Sequence, residues 1–239
     1  MLKLKRQFSL LSLLVLVVQL FAQGPNGSGT YYRNANGQKG KSLKTALFKI
    51  ISTHKDIGYD GLFKCYKKTD KRADGKVWDM YSNTTNYSFT DNNGSYKKEG
   101  DIYNREHSVP KSWWGNSGSS NSDIEKFLAG TDLMHLFPSD GPANSAKSNY
   151  PLGVVDVSTF SNGVSTVGYP VTGQGGGSSR VFEPDDEYKG DFARVYFYMA
   201  TCYQDYTWKY TYMFIDKSSS YLSLKPWAYN MLREWARED

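Results

Sequence analysis

YNREHSVPKSWW, residues 103–114, places a carboxylate and an imidazole side by side, Glu106 and His107, and follows them with Pro110 and a tryptophan pair. His107 is one of three histidines in the chain. Neighbouring side chains on a regular strand point to opposite faces, so Glu106 and His107 can share a site only where the strand ends or bulges. Pro110 suits such an ending. On its own an E-H pair is a surface feature, and Trp113 and Trp114 read more readily as packing than as platforms for bases.

A second stretch is as dense in chemistry. TDLMHLFPSDGPANSAKSNYPLG, residues 131–153, holds Asp132, His135, Asn144, Lys147 and Asn149 among prolines and glycines, with Leu133, Leu136 and Phe137 to anchor it. Phosphodiester hydrolysis needs a base for water, stabilisation of the leaving oxygen and neutralisation of charge on phosphorus. A neutral imidazole suits the first need. A hard cation on oxygen ligands suits the second, and a lysine or arginine the third. His107, Glu106, Asn144 and Lys147 supply these types. Against this, His135 between two leucines has a second reading as a core histidine, and Asn149 one as a turn residue before Tyr150-Pro151. Arg194 reads as an ion-pair partner of Glu183 or Asp186.

Around these stretches the chain is ordinary. It starts MLKLKRQFSLLSLLVLVVQLFAQG: a basic head, an apolar run too short to span a bilayer, and a small residue at Ala22. That pattern predicts a secretory signal peptide over residues 1–22. Its removal leaves about 217 residues, one domain's worth, and takes Lys3, Lys5 and Arg6 with it, so the formal charge of +5 falls to +2. A mildly basic protein permits a polyanionic partner without requiring one. Cys65 and Cys202 are the only cysteines; they read as one disulfide or as two buried thiols, and they exclude a Cys-rich zinc site.

The periodicity predicts a helix over residues 42–54 capped by Ser42, with His54 in its last turn. It predicts short strands over 77–81 and 87–89, a turn at DNNG (91–94), a flexible loop at GQGGGSS (173–179), a buried helix over 191–203 and a final helix over 224–235 with Pro226 in its first turn. Short strands mixed with unevenly placed helices predict an α+β fold.

YNREHSVPKSWW, TDLMHLFPSDGPANSAKSNYPLG and EPDDEYKGDFARVYFYMATCY together resemble the bacterial secreted endonuclease I family, one of the ββα-metal or His-Me finger nucleases. The likeness runs from about Tyr32 to the end and preserves the order of three motifs. The resemblance implies an α+β chain of helices and short strands around a ββα-metal motif, with His107 as general base and Glu106 and Asn144 as ligands of one Mg²⁺, or Mn²⁺ or Ca²⁺ in its place. Lys147 and Arg194 would act on phosphate, and Asp132, His135 and Asn149 would support the site or contact phosphate. It also implies a monomeric, secreted or periplasmic endonuclease acting on DNA, and on RNA as a second substrate, with little sequence preference and no membrane insertion once the signal is cleaved. The chain ends at WARED, where family members continue in a tail rich in Asn, Arg and Pro, so a C-terminally truncated domain over 23–239 is expected. Two other functions fit the composition: an aromatic-rich binding module without catalysis, and a phosphodiesterase acting on a small or lipid diester.

Overall fold

A computed structural model describes residues 29–84, 86–115, 118–209, 212–215 and 223–238. The expected signal peptide lies outside the described residues, among which no helix is long and apolar enough to cross a membrane. The chain divides after His54 into two compact units.

In the first unit a 3₁₀ turn, Arg33–Ala35, precedes helix α1, Gly40–Ile51. The helix begins two residues before the expected Ser42 cap, and its N-cap, Lys39, makes no side-chain cap. His54 falls beyond its end, with Nδ1 3.1 Å from the carbonyl oxygen of Ile51, where it meets one of the carbonyls a helix terminus leaves open.

The second unit carries helix α2, Gly61–Thr69, then strand β1, Tyr103–His107, a one-turn helix α3, Asn121–Ile124, strand β2, Leu136–Asp140, and helix α4, Gly141–Lys147. Strands β3, Val155–Ser161, β4, Ser165–Pro170, and β5, Val181–Pro184, follow. Helix α5, Asp186–Cys202, strands β6, Phe214–Ile215, and β7, Ser223–Leu224, and helix α6, Pro226–Glu238, complete it. The strands form three small antiparallel sheets, β1-β2, β3-β4-β5 and β6-β7. Helices and small antiparallel sheets in this mixture make the fold α+β.

The two expected strands at 77–81 and 87–89 do not form. Val77 donates to Tyr87 O at 3.0 Å, but the ladder goes no further because the carboxylate of Asp79 takes the backbone N–H groups. It accepts from Tyr81 N at 2.7 Å and from Asp140 N at 2.9 Å, and from the Ser82 hydroxyl at 2.9 Å. A short acidic side chain thus replaces a strand partner. The segment at 173–179 is also built differently from a loose loop, since a Cβ on Gly176 would overlap the Tyr212 carbonyl.

The helices follow their periodicity more closely. α5 buries Ala193, Val195, Tyr196, Met199 and Ala200 as expected. It starts five residues earlier than the periodicity shows, because Asp185 caps it by accepting from Glu187 N at 3.0 Å. α6 starts on Pro226, where a missing N–H costs no hydrogen bond. α2 lies where no helix was expected. Its Leu62 and Tyr66 join Val77, Tyr87, Tyr103 and Leu136 in a buried cluster that holds the β1-β2 pair from one side.

Asp70, directly after α2, is 5% exposed and its carboxylate accepts a hydrogen bond from Thr69 Oγ1 at 2.5 Å. Burial pushes its pKa up to about 6. The folded protein therefore favours the protonated acid, and stability should fall as pH rises from about 4, the unfolded value, through about 6. Asp70→Asn should gain about 1–3 kcal/mol at pH 8 and nothing at pH 3.5, as read from urea midpoints at the two pH values.

Candidate active site

β1 and β2 pair with Glu106 opposite Phe137 and His107 opposite Leu136. β1 stops at His107, and the chain turns through Ser108 to Pro110 into a 3₁₀ turn, Lys111–Trp114. β2 runs without a break into α4, whose start is capped by Asp140 accepting from Ala143 N at 3.0 Å. Two antiparallel strands and a helix therefore enclose the end of β1. Glu106 and His107, although adjacent, both line one cleft of about 520 Å³ together with Asn144 and Asn149. The strand end resolves the problem of their opposite directions. Lys111, Ser112, Ser145 and Ser148 also line the cleft. Nothing in their local sequence marks them, because hydroxyls and lysines are common in any polar loop.

The buried carboxylate of Glu106 meets an ammonium. Lys147 Nζ, fully buried at the end of α4, donates to Glu106 Oε1 at 2.6 Å. Burial raises the pKa of Glu106, and the Lys147 charge opposes it. Lys147 thus faces a carboxylate inside the protein, whereas the sequence pattern had aimed it at phosphate. Asn144, one turn earlier, is half-buried, and its amide makes no hydrogen bond among the described residues.

His107 is packed between rings, 6.1 Å from Tyr59 in a stacked arrangement, 5.9 Å from Trp114 and 5.6 Å from His135. Its Nε2 lies 3.2 Å from Gly130 O. A carbonyl only accepts, so Nε2 carries the proton and Nδ1 keeps its lone pair. Burial pushes the imidazole pKa well below its usual range, and His135 adds to the shift, while the Gly130 carbonyl opposes it. The ring is neutral at neutral pH. His135 is buried, with Nε2 2.6 Å from Ala129 O. One 3₁₀ turn, Leu128–Thr131, therefore holds both imidazoles by successive carbonyls. Gly130 is required there because a Cβ would overlap the Ile124 carbonyl. The glycine is visible in the sequence, but its role is not.

The remaining candidates separate from the cleft. Asp132 is buried and anchors α5: Oδ2 accepts from Tyr198 and Tyr203 hydroxyls at 2.7 Å each, and Oδ1 from Met134 N at 2.9 Å. Arg194 is half-exposed in a different cleft of about 240 Å³, beside Trp78, Leu133 and Phe137, and pairs with Asp191 at 2.6 Å. Glu183 and Asp186, its expected structural partners, bind Lys189 instead, at 2.8 and 2.6 Å. Trp113 and Trp114 are buried packing residues, and Trp113 Nε1 donates to Asn149 O at 3.1 Å. No disulfide joins the cysteines. Cys65 sits half-buried on α2, while the Cys202 thiol is buried against the Tyr198 and Tyr203 hydroxyls with its pKa pushed up to about 11.

Ser148 follows α4 at φ 49° and ψ −137°, a conformation that glycine adopts freely and that strains a serine. It lets the chain double back, with Tyr150 N donating to Lys147 O at 3.2 Å, and so sets Asn149 at the cleft edge.

Comparison with known proteins adds a family to this geometry. The family model described as Endonuclease I matches residues 39–239. The chain is similar to an extracellular ribonuclease of Bacillus amyloliquefaciens, with 35% identity over 178 residues that cover 73% of this chain and 54% of that protein. It is also similar to an extracellular ribonuclease of Bacillus subtilis (strain 168), with 37% identity over 177 residues and the same coverage. The chain spans about half the length of the curated relatives it matches.

The site's construction can be tested without any nucleic acid. Lys147→Met strands a buried carboxylate and should cost about 3–5 kcal/mol in denaturant unfolding, with recovery in the Glu106→Gln/Lys147→Met pair. Ser148→Gly should gain about 1 kcal/mol, the strain relieved less the entropy a glycine loses on folding.

Proposed function

The chain belongs to the endonuclease I family, and from that membership we propose that it is an exported nuclease that hydrolyses phosphodiester bonds in the cleft between β1 and α4. The observation that carries the reading is the convergence of Glu106, His107 and Asn144 on one cleft at the end of a strand. Strand, strand and helix around that cleft support its reading as a ββα-metal site. Export rests on the N-terminal pattern and on the extracellular relatives.

His107 is the base. Its Nε2–H is anchored on Gly130 O, which leaves Nδ1 to take a proton from water as the water oxygen attacks phosphorus and the P–O bond to the leaving oxygen breaks. Burial keeps the ring neutral, the form in which it can accept that proton. Tyr59, Trp114 and His135 fix the plane of the ring.

The donor set fits a hard divalent cation. Glu106 offers a carboxylate, Asn144 an amide oxygen with no hydrogen bond among the described residues, and the open cleft leaves space for water. Magnesium suits a site with few protein ligands and many waters, and manganese or calcium would also be accommodated. When bound, the cation would neutralise charge on the phosphate and stabilise the leaving oxygen. Lys147 holds Glu106 in place and offsets part of its charge. Asn149, Lys111 and the serines that line the cleft would contact phosphate oxygens, which carry no base information, so cleavage would show little sequence preference. The names of the relatives favour RNA as a substrate, and phosphate contacts alone would admit DNA as well.

Plasmid DNA and a structured RNA incubated with the exported chain, with and without chelator, test this directly. Cleavage should stop with chelator. His107→Ala should lose about 10²–10⁴-fold in rate while keeping its thermal midpoint within a few degrees. A variant that cleaves at the wild-type rate would remove His107 from the mechanism.

A further inference from the structure

The outer face of α2 is a row of ammonium groups. Lys64, Lys67 and Lys68 fall at i, i+3 and i+4 on the helix, and Lys71 follows just past its end. All four are exposed, while Leu62 and Tyr66 on the other side of the helix are buried. No side-chain ion pair or hydrogen bond meets any of the four among the described residues. The two carboxylates within residues 61–78 are otherwise engaged: Asp70 is buried beside Thr69, and Asp74 pairs with Arg72 at 3.4 Å. Like charges at these spacings destabilise a helix by about 0.2–0.5 kcal/mol per pair, offset in part by the place of Lys67 and Lys68 in the last turn, where a cation favours the helix dipole.

The row also has a defined place. Tyr59, two residues before α2, stacks on His107, and the apolar side of α2 packs on Tyr103 and Leu136 of the two strands that build the cleft. α2 therefore follows directly on a residue that packs against His107, and its lysines lie on the side turned away from the strands. From Lys64 to Lys68 the helix rises about 6 Å, close to two phosphate steps of one duplex strand, and Lys71 extends the row past the helix end.

We propose that α2 is a second nucleic-acid docking surface, outside the cleavage cleft, that holds the phosphates of the chain flanking the cut. The proposal rests on the nuclease reading of the cleft. Lysines hold phosphate as point charges, and the row contains no Asn, Gln or Arg suited to paired contacts with a base edge, so this docking is indifferent to sequence. Long substrates would gain from it, and short ones that end inside the cleft would not.

The test is the salt dependence of binding to a fluorescent duplex several turns long, read by anisotropy with chelator present to prevent cleavage. The wild type is compared with a variant carrying Lys64→Gln, Lys67→Gln, Lys68→Gln and Lys71→Gln, and with its counterpart carrying arginine at the four positions. The glutamine variant should bind at least ~10-fold more weakly near 0.1 M salt, and its slope of log K against log salt should be shallower by about 3. The arginine variant should keep the wild-type slope, and equal melting midpoints would show that all three chains are folded. An unchanged slope in the folded glutamine variant overturns the proposal. So does a loss confined to vesicles containing phosphatidylserine, which would assign the row to a membrane surface. Cleavage by the wild type against His107→Ala is scored separately. A slope that falls in a protein that never cleaves leaves the docking surface standing and sinks the nuclease reading.

Discussion

The buried bond between Lys147 and Glu106 is the contact on which the site depends. It joins the last residue of α4 to the next-to-last residue of β1, two positions far apart in the chain. Neither charge could be buried alone, since an unpaired ion away from water costs several kcal/mol. The pair therefore requires α4 to close over the strand end, and that closure brings Asn144 and Asn149 to the cleft that Glu106 and His107 share. A carboxylate held in this way is fixed in position, and the neighbouring ammonium offsets part of its negative charge.

The two imidazoles are fixed by a different element. Successive carbonyls of the Leu128–Thr131 turn face His135 and His107, so one short turn sets the tautomer of both rings. The turn can sit so close only because residue 130 lacks a side chain. Asp132, at the end of the same turn, grips Tyr198 and Tyr203 of the α5 region. Cleft and scaffold therefore meet in a few residues, and a disturbance in this turn would reach His107, His135 and the packing of α5 together.

Much of the architecture was legible because it rests on local rules. The apolar spacing of residues 193–200 marks a buried helix face, and Pro226 marks a helix start, whatever surrounds them. Boundaries were less legible where a single capping side chain decides them, as Asp185 does for α5. The absent strands near 77–89 show a stronger limit. Val77 to Tyr81 has strand-like residues, but Asp79 takes the hydrogen bonds that a ladder needs, including one from Asp140 in a distant strand. α2 escaped because its lysines mask the Leu62–Tyr66 repeat in a segment of only nine residues.

By itself the sequence determined which chemical groups are available: a carboxylate beside an imidazole at a proline-ended stretch, an amide and a lysine in the next motif, and a basic head before an apolar run at the N-terminus. The order and spacing of these groups were enough to point to the family. Only the tertiary structure decided which groups face one another. Lys147 turns inward to Glu106, Arg194 turns to Asp191 in another cleft, and Asp132 is spent on two tyrosines. The physical reason is that charges and hydrogen-bond donors are satisfied by whichever partner the closing elements bring within about 3 Å. Residues separated by dozens of positions carry no local mark of that choice. Hydrophobic period and turn chemistry act over a few residues and can be read directly, whereas the pairing of buried polar groups is settled by the fold as a whole.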